Sequence, residues 1–222
     1  MAFFYDGIDI AELCELSEAG VISGVTTNLT LVNGKRMAEG VSRHSVLAPL
    51  MQHCRESGIP ISVQVEANEP QKIFEEARVL HEEYSDTNQL LIKVPVNFEN
   101  LSAISKATKA GIAINATCIT SNIQAQLATL SGARIVSFFW GKMSDQGIDP
   151  FQHVLNFDAW RRREGLETTT KILVGSVRQP ASIESAFVAG ADIVTTSKDN
   201  IRKLANQLMS DEANRLFQET NL

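Results

Sequence analysis

Short apolar runs alternate with longer amphipathic stretches along the whole chain. Eight runs stand out: Phe3–Tyr5, Gly24–Thr27, Ile61–Val65, Leu90–Val94, Ile112–Ala116, Arg134–Phe139, Lys171–Gly175 and Asp192–Thr196. Most are about five residues long and rich in Ile, Val and Phe, as strands are; Gly24–Thr27 is the weakest. Between them, apolar residues recur at helical spacing over Ile8–Glu18, Pro70–Glu83, Ser121–Leu130, Asn156–Glu164, Pro180–Ala189 and Lys198–Met209. Proline opens the second of these stretches, where its missing N–H costs nothing. Gly20, Gly58, Gly111, Gly132 and Gly190 stand where helices should close in the left-handed conformation before the next strand. Strict alternation of strand and helix predicts an α/β protein with a parallel sheet. Eight repeats favour a closed (β/α)8, or TIM, barrel. An open doubly wound sheet would more often carry a glycine-rich turn after its first strand, and Asp6-Gly7-Ile8-Asp9 is not one.

The 222 residues sit near the lower end for such a barrel, and no linker or low-complexity segment divides them. The expectation is one catalytic domain over residues 1–222, ending in a short helical extension. A net charge of −6 argues against nucleic acid as a partner. The basic run Arg161-Arg162-Arg163 reads as a solvated helix end. No stretch is apolar for long enough to span a membrane, and the N-terminus does not read as a signal peptide. Cys14, Cys54 and Cys118 are too scattered for a disulfide framework and read as reduced thiols, which suggests the cytoplasm. Neither the cysteines nor the four histidines have metal-ligand spacing, so no metal is expected.

Polar residues gather at the C-terminal ends of the predicted strands: Asp6, Thr26, Thr27 and Asn28, Gln64 and Glu66, Asn115 and Thr117, Ser137, then Ser176 and Arg178. Active sites of barrels lie at that end. Lys93 is the sharpest case, set in Leu90-Leu91-Ile92-Lys93-Val94-Pro95-Val96. Burial favours the neutral amine, a nucleophile towards carbonyls. A lysine that snorkels to the rim, or pairs with Asp6 or Glu66, is the alternative.

These residues resemble the transaldolases and fructose-6-phosphate aldolases in five motifs. Gly24-Val25-Thr26-Thr27-Asn28 is similar to their GVTTNP motif, and Leu91-Ile92-Lys93-Val94-Pro95 to the segment holding their Schiff-base lysine. Asp6 matches their catalytic aspartate, Asn115-Ala116-Thr117 their N-x-T segment, and Gly175-Ser176-Val177-Arg178 their phosphate-gripping segment. The resemblance implies class I chemistry without a metal or other cofactor. Lys93 would form an imine with a ketose, and Asp6 would act as general acid and base. Thr117 and Gln64 would hold the catalytic water. Thr26, Asn28, Asn115, Ser137 and Phe139 would bind the sugar, although Thr26 and Asn28 also suit a capped turn. It further implies small sugar substrates and a homo-oligomer, between dimer and decamer.

Departures from the family pattern carry information. Leu29 replaces a usual proline. Gln64 matches the aldolases, whereas Phe139 and Asn115 match the transaldolases. Trp140 and Lys142 replace smaller and arginine residues of the anion site, where Lys offers a point charge in place of a fork. With Ser176 and Arg178 they are expected to hold an anionic tail, phosphate or its sulfonate analogue. A silent barrel that only binds a sugar phosphate is the alternative from another functional class.

Overall fold

A computed structural model describes residues 1–84, 89–206 and 208–219. The first half runs β1 (Ala2–Asp6), α1 (Ile10–Glu18), β2 (Val25–Thr26), α2 (Leu29–Glu39), α3 (Arg43–Ser57), β3 (Ile61–Gln64), α4 (Pro70–Glu83) and β4 (Leu90–Pro95). Then come α5 (Asn100–Lys109), β5 (Ile114–Ile119), α6 (Asn122–Leu130), β6 (Ile135–Phe139), α7 (Trp140–Asp145) and α8 (Pro150–Arg163). The chain closes with β7 (Lys171–Gly175), α9 (Pro180–Val188), β8 (Ile193–Thr196), α10 (Lys198–Ala205) and α11 (Leu208–Glu219). The eight strands pair in parallel, each with its sequence neighbours, and β8 returns to β1. This is the (β/α)8 barrel the alternation predicts.

Helix starts follow from local chemistry. Asp9, Asn28, Ser42, Ser121, Asp149 and Ser197 each place a side-chain oxygen on a free N–H of the first helical turn. All five glycines expected to close helices have positive φ.

Two packing clusters show how the strands face. Val25, Ile61, Val63, Ile92, Val94, Ile114, Val136, Phe138, Ile172, Val174 and Val194 point outward and pack under the helices. Phe4, Leu91, Ile135, Leu173 and Ile193 point inward and form a separate apolar layer inside the barrel. Gly24 makes room for that layer, because a methyl there would lie 2.4 Å from the Phe4 ring. Side chains alternate along a strand, so the residue two places further on also faces inward. From those five positions the step lands on Asp6, Lys93, Ser137, Gly175 and Thr195. The interior thus changes from apolar to polar along the barrel axis, towards the C-terminal ends of the strands.

The structure corrects several sequence expectations. Helices α2, α3, α5 and α7 lie outside the stretches picked out by periodicity. α3 contains Pro49, a residue that argues against a helix interior. The stretch Asn156–Glu164 is the second part of α8, which begins at Pro150 behind its Asp149 cap. The stretch Lys198–Met209 ends at Ala205 as α10. Arg162 and Arg163 are exposed as expected, but Arg161 is not solvated. Its side chain is 1% exposed and pairs with Asp158 and Asp192, each at 2.5 Å.

Candidate active site

A cavity of about 480 Å³ opens at the C-terminal end of the barrel. Asp6, Asn28, Gln64, Lys93, Cys118, Ser137, Phe139, Ser176 and Thr195 are among the residues lining it. All five residues reached by the two-residue step are in this lining.

Lys93 sits on β4 between Gln64 of β3 and Asn115 of β5 in the strand register. The residue is 6% exposed, and its Nζ donates to the Thr27 carbonyl at 3.2 Å. Among the described residues no carboxylate comes within ion-pair distance of it. It neither snorkels nor pairs. Burial holds its pKa below the ordinary 10.5, opposed in part by Asp6 and then Cys118.

Asp6 ends β1 and accepts a 3.0 Å bond from Thr26 Oγ1, which shares a 2.6 Å contact with Thr195 Oγ1. Thr26 is fully buried beneath the cavity. A second chain crosses the barrel: Asn115 Nδ2 donates to Ser62 Oγ at 3.0 Å, and Ser137 Oγ donates to Asn115 Oδ1 at 2.6 Å. These bonds fix the polar side chains around Lys93. Asn28 has two roles. Its Oδ1 caps α2 through Leu31 N, and the residue also lines the cavity. Gln64 is held through its backbone, where its carbonyl accepts from Arg43 Nη2.

The turn after Ala116 is irregular. The β5–β6 register shifts between Ala116 and Ile119, and Cys118 has φ 62°. This bulge brings the Cys118 thiol to the cavity wall, where burial raises its pKa and the nearby Lys93 lowers it. Thr117 is fully buried, and among the described residues its Oγ1 has no nitrogen or oxygen partner; the adjoining Cys118 thiol is a weak one. A buried hydroxyl in that state favours a polar group delivered from outside the protein.

Of the predicted anion-binding residues only one lines the cavity. Ser176 lines the cavity at φ 58°. Arg178 is turned to Asp145, and Lys142 is exposed on α7; neither lines the cavity. Trp140 is buried in the outer core under the helices, away from the cavity wall. Sequence reading missed Ser62, Thr195 and the cavity face of Cys118. The alternation that places Gln64 inward also places Ser62 inward, and the step from Ile193 finds Thr195. Among the described residues no group of three or more His, Cys, Asp or Glu could hold a metal.

Fold and site together define a (β/α)8-barrel protein with a buried amine and a carboxylate in one cavity. The transaldolase/fructose-6-phosphate aldolase family profile matches residues 3–221, and the chain belongs to that family. It is 30% identical over 217 residues to a probable transaldolase of Cereibacter sphaeroides, covering 98% of this chain and 94% of the relative. It is 32% identical over 219 residues to a probable transaldolase of Thermoplasma volcanium, covering 99% and 94%. Two solved structures share the fold. One, described as a native KDPGal structure, has TM-score 0.58 and 16% identity over 89% of this chain and 82% of that one. The other, a cube-shaped cage designed by fusing symmetric oligomeric domains, has TM-score 0.60 and 15% identity over 99% and 76%. No helix among the described residues is long and apolar enough to cross a membrane.

Proposed function

We propose that the protein is a transaldolase. It transfers a dihydroxyacetone unit from a ketose with an anionic C6 group to an aldose such as glyceraldehyde 3-phosphate or erythrose 4-phosphate. Fructose 6-phosphate and its 6-sulfo analogue are the proposed donors. The observation that carries this reading is the buried amine of Lys93, set in a cavity that Asp6 also lines.

In this mechanism neutral Lys93 attacks the ketose C2 carbonyl and water leaves, giving an imine. Thr117 Oγ1 and Gln64 hold the water that moves protons in this step. The protonated imine accepts the electron pair of the C3–C4 bond as that bond breaks. Asp6 takes the C4 hydroxyl proton, and an aldose departs. The enamine left on Lys93 attacks the acceptor aldehyde, Asp6 returns its proton to the new alkoxide, and water hydrolyses the imine to release the new ketose and free Lys93. Ser137, Asn115, Asn28, Thr26 and Phe139 orient the dihydroxyacetone end. Ser176, Arg178 and Lys142 attract the anionic tail, and Trp140 supports the helix that carries Lys142.

Gln64 favours a second reading, an aldolase that releases free dihydroxyacetone, because an amide cannot carry a proton as a glutamate can. Product formed without an acceptor aldose selects this reading; strict dependence on an acceptor selects transfer. Borohydride trapping with donor ketose, followed by peptide mapping, tests the shared chemistry. The expected adduct lies on Lys93 and is absent from Lys93→Ala. An adduct on Lys171 or Lys198 would overturn the assignment. A cytoplasmic homo-oligomer belongs to the same proposal. The exposed stripe Ile123, Leu127 and Leu130 on α6 supports association, and sedimentation velocity measures it.

A further inference from the structure

The fork of Arg178 is already filled by a group of the chain itself. Its Nη1 donates to Asp145 Oδ1 at 2.5 Å, and its Nη2 donates to Asp145 Oδ2. This bidentate geometry is the one an arginine uses to take a phosphate. The pair stands beside the cavity. Gly141 N donates to the Ser176 carbonyl at 3.0 Å, which fixes the first turn of α7 against the Ser176 loop. A methyl on Gly141 would lie 3.1 Å from Ser176 Oγ and 3.2 Å from Arg178 Nε. The cavity-lining hydroxyl and the base of the guanidinium therefore converge on one spot over Gly141. Asp145 ends the same short helix, three residues after Lys142. Arg178 and then Lys142 hold its carboxyl below the usual carboxylate range, so it is charged at neutral pH.

We propose that Asp145 is a specificity-determining residue that occupies the Arg178 fork, competes with the substrate's anionic tail and tunes the site to tails of low charge. The proposal rests on the function proposed above and deepens it. Two cations and one carboxylate leave a single net positive charge at this end of the site. A dianionic phosphate must displace the Asp145 carboxylate or bind beside it against repulsion. A singly charged sulfonate meets half that opposition, and an uncharged tail meets none.

Three donors differing only at C6 test this in the full-length protein: fructose 6-phosphate, 6-deoxy-6-sulfofructose and 6-deoxyfructose. Asp145→Asn removes the charge while keeping the shape. For the phosphate donor, kcat/KM should rise about fivefold through KM, the scale an exposed ion pair can withhold. The gain should be smaller for the sulfonate and absent for 6-deoxyfructose. A merely structural role for Asp145 would move all three donors alike. Equal changes across the series, or no change, overturn the proposal. Asp145→Ala must reproduce the order of gains; loss of that order also overturns it. Borohydride trapping separates this failure from the failure of the function. An adduct on Lys93 with unchanged ratios sinks only the role of Asp145. No adduct from any donor sinks the proposed function, and this inference with it.

Discussion

Lys93 links sequence to chemistry most directly, because one charged residue inside an apolar strand has few ways to be tolerated. It is buried, bonded to the Thr27 carbonyl, and depressed in pKa by desolvation. That depression makes a pH prediction for stability. The unfolded chain holds the proton up to the ordinary 10.5, and the folded chain gives it up sooner. Between the lowered folded value and the ordinary one the unfolded state binds more protons, so falling pH destabilises the fold through that window. Lys93→Met, which has no proton to lose, should raise the urea midpoint at neutral pH, with the gain shrinking as pH climbs towards 10.5. A gain independent of pH would show that the amine is not titrating in the barrel. Turnover should move with the same group and fall as acid protonates the amine. Lys93, Asp6 and Gln64 were legible because each interrupts or ends an apolar strand. Cys118 was not legible as a cavity residue, because only the left-handed turn at that position brings its thiol there.

At the scale of the element, alternation along strands was the most legible feature, and helix identity the least. Strands reveal themselves in five residues, whereas α2 and α3 hide behind polar surfaces and an internal proline. Ser62 and Thr195 were readable from the two-residue period, but they sit in strands that looked ordinary. Arg161 was misread because exposure is a property of the packed helix and not of the basic run. It joins α8 to the strand edge, donating to Thr170 O at 2.9 Å while pairing with Asp158 and with Asp192. Asp192 in turn accepts from Ile172 N at 2.7 Å. Removing the cation takes the ion-pair partner from half-buried Asp192 and leaves Asp158 with Arg162 alone. Arg161→Ala should cost about 3–5 kcal/mol in chemical denaturation, whereas its exposed neighbour Arg163 should cost well under about 1 kcal/mol. Equal costs would mean that the Arg161 pairs contribute no more than a surface bridge.

Closure of the barrel is a property of the whole molecule that no local segment announces. β2 contributes only two residues, and β8 meets β1 across nearly the entire chain. What the sequence did carry is the axial division inside the barrel: Phe4, Leu91, Ile135, Leu173 and Ile193 below, and polar groups one step above. If the lower layer serves packing and the upper layer serves chemistry, a substitution in each should separate stability from rate. Ile135→Ala removes inward apolar atoms and should cost about 2–5 kcal/mol. Well below its melting temperature, it should still form the Lys93 adduct within about twofold of the parent rate, a difference under about 1 kcal/mol. Ser62→Ala removes the acceptor for Asn115 Nδ2 in the layer that holds Lys93. It should cost about 1–3 kcal/mol for the stranded amide and slow adduct formation about tenfold, equivalent to about 1.4 kcal/mol on the barrier. The comparison is decided by the ratio of rate loss to stability loss. A ratio that matches in the two variants would mean that the layers act as one unit, and that the polar upper ring tunes packing and not the Lys93 amine.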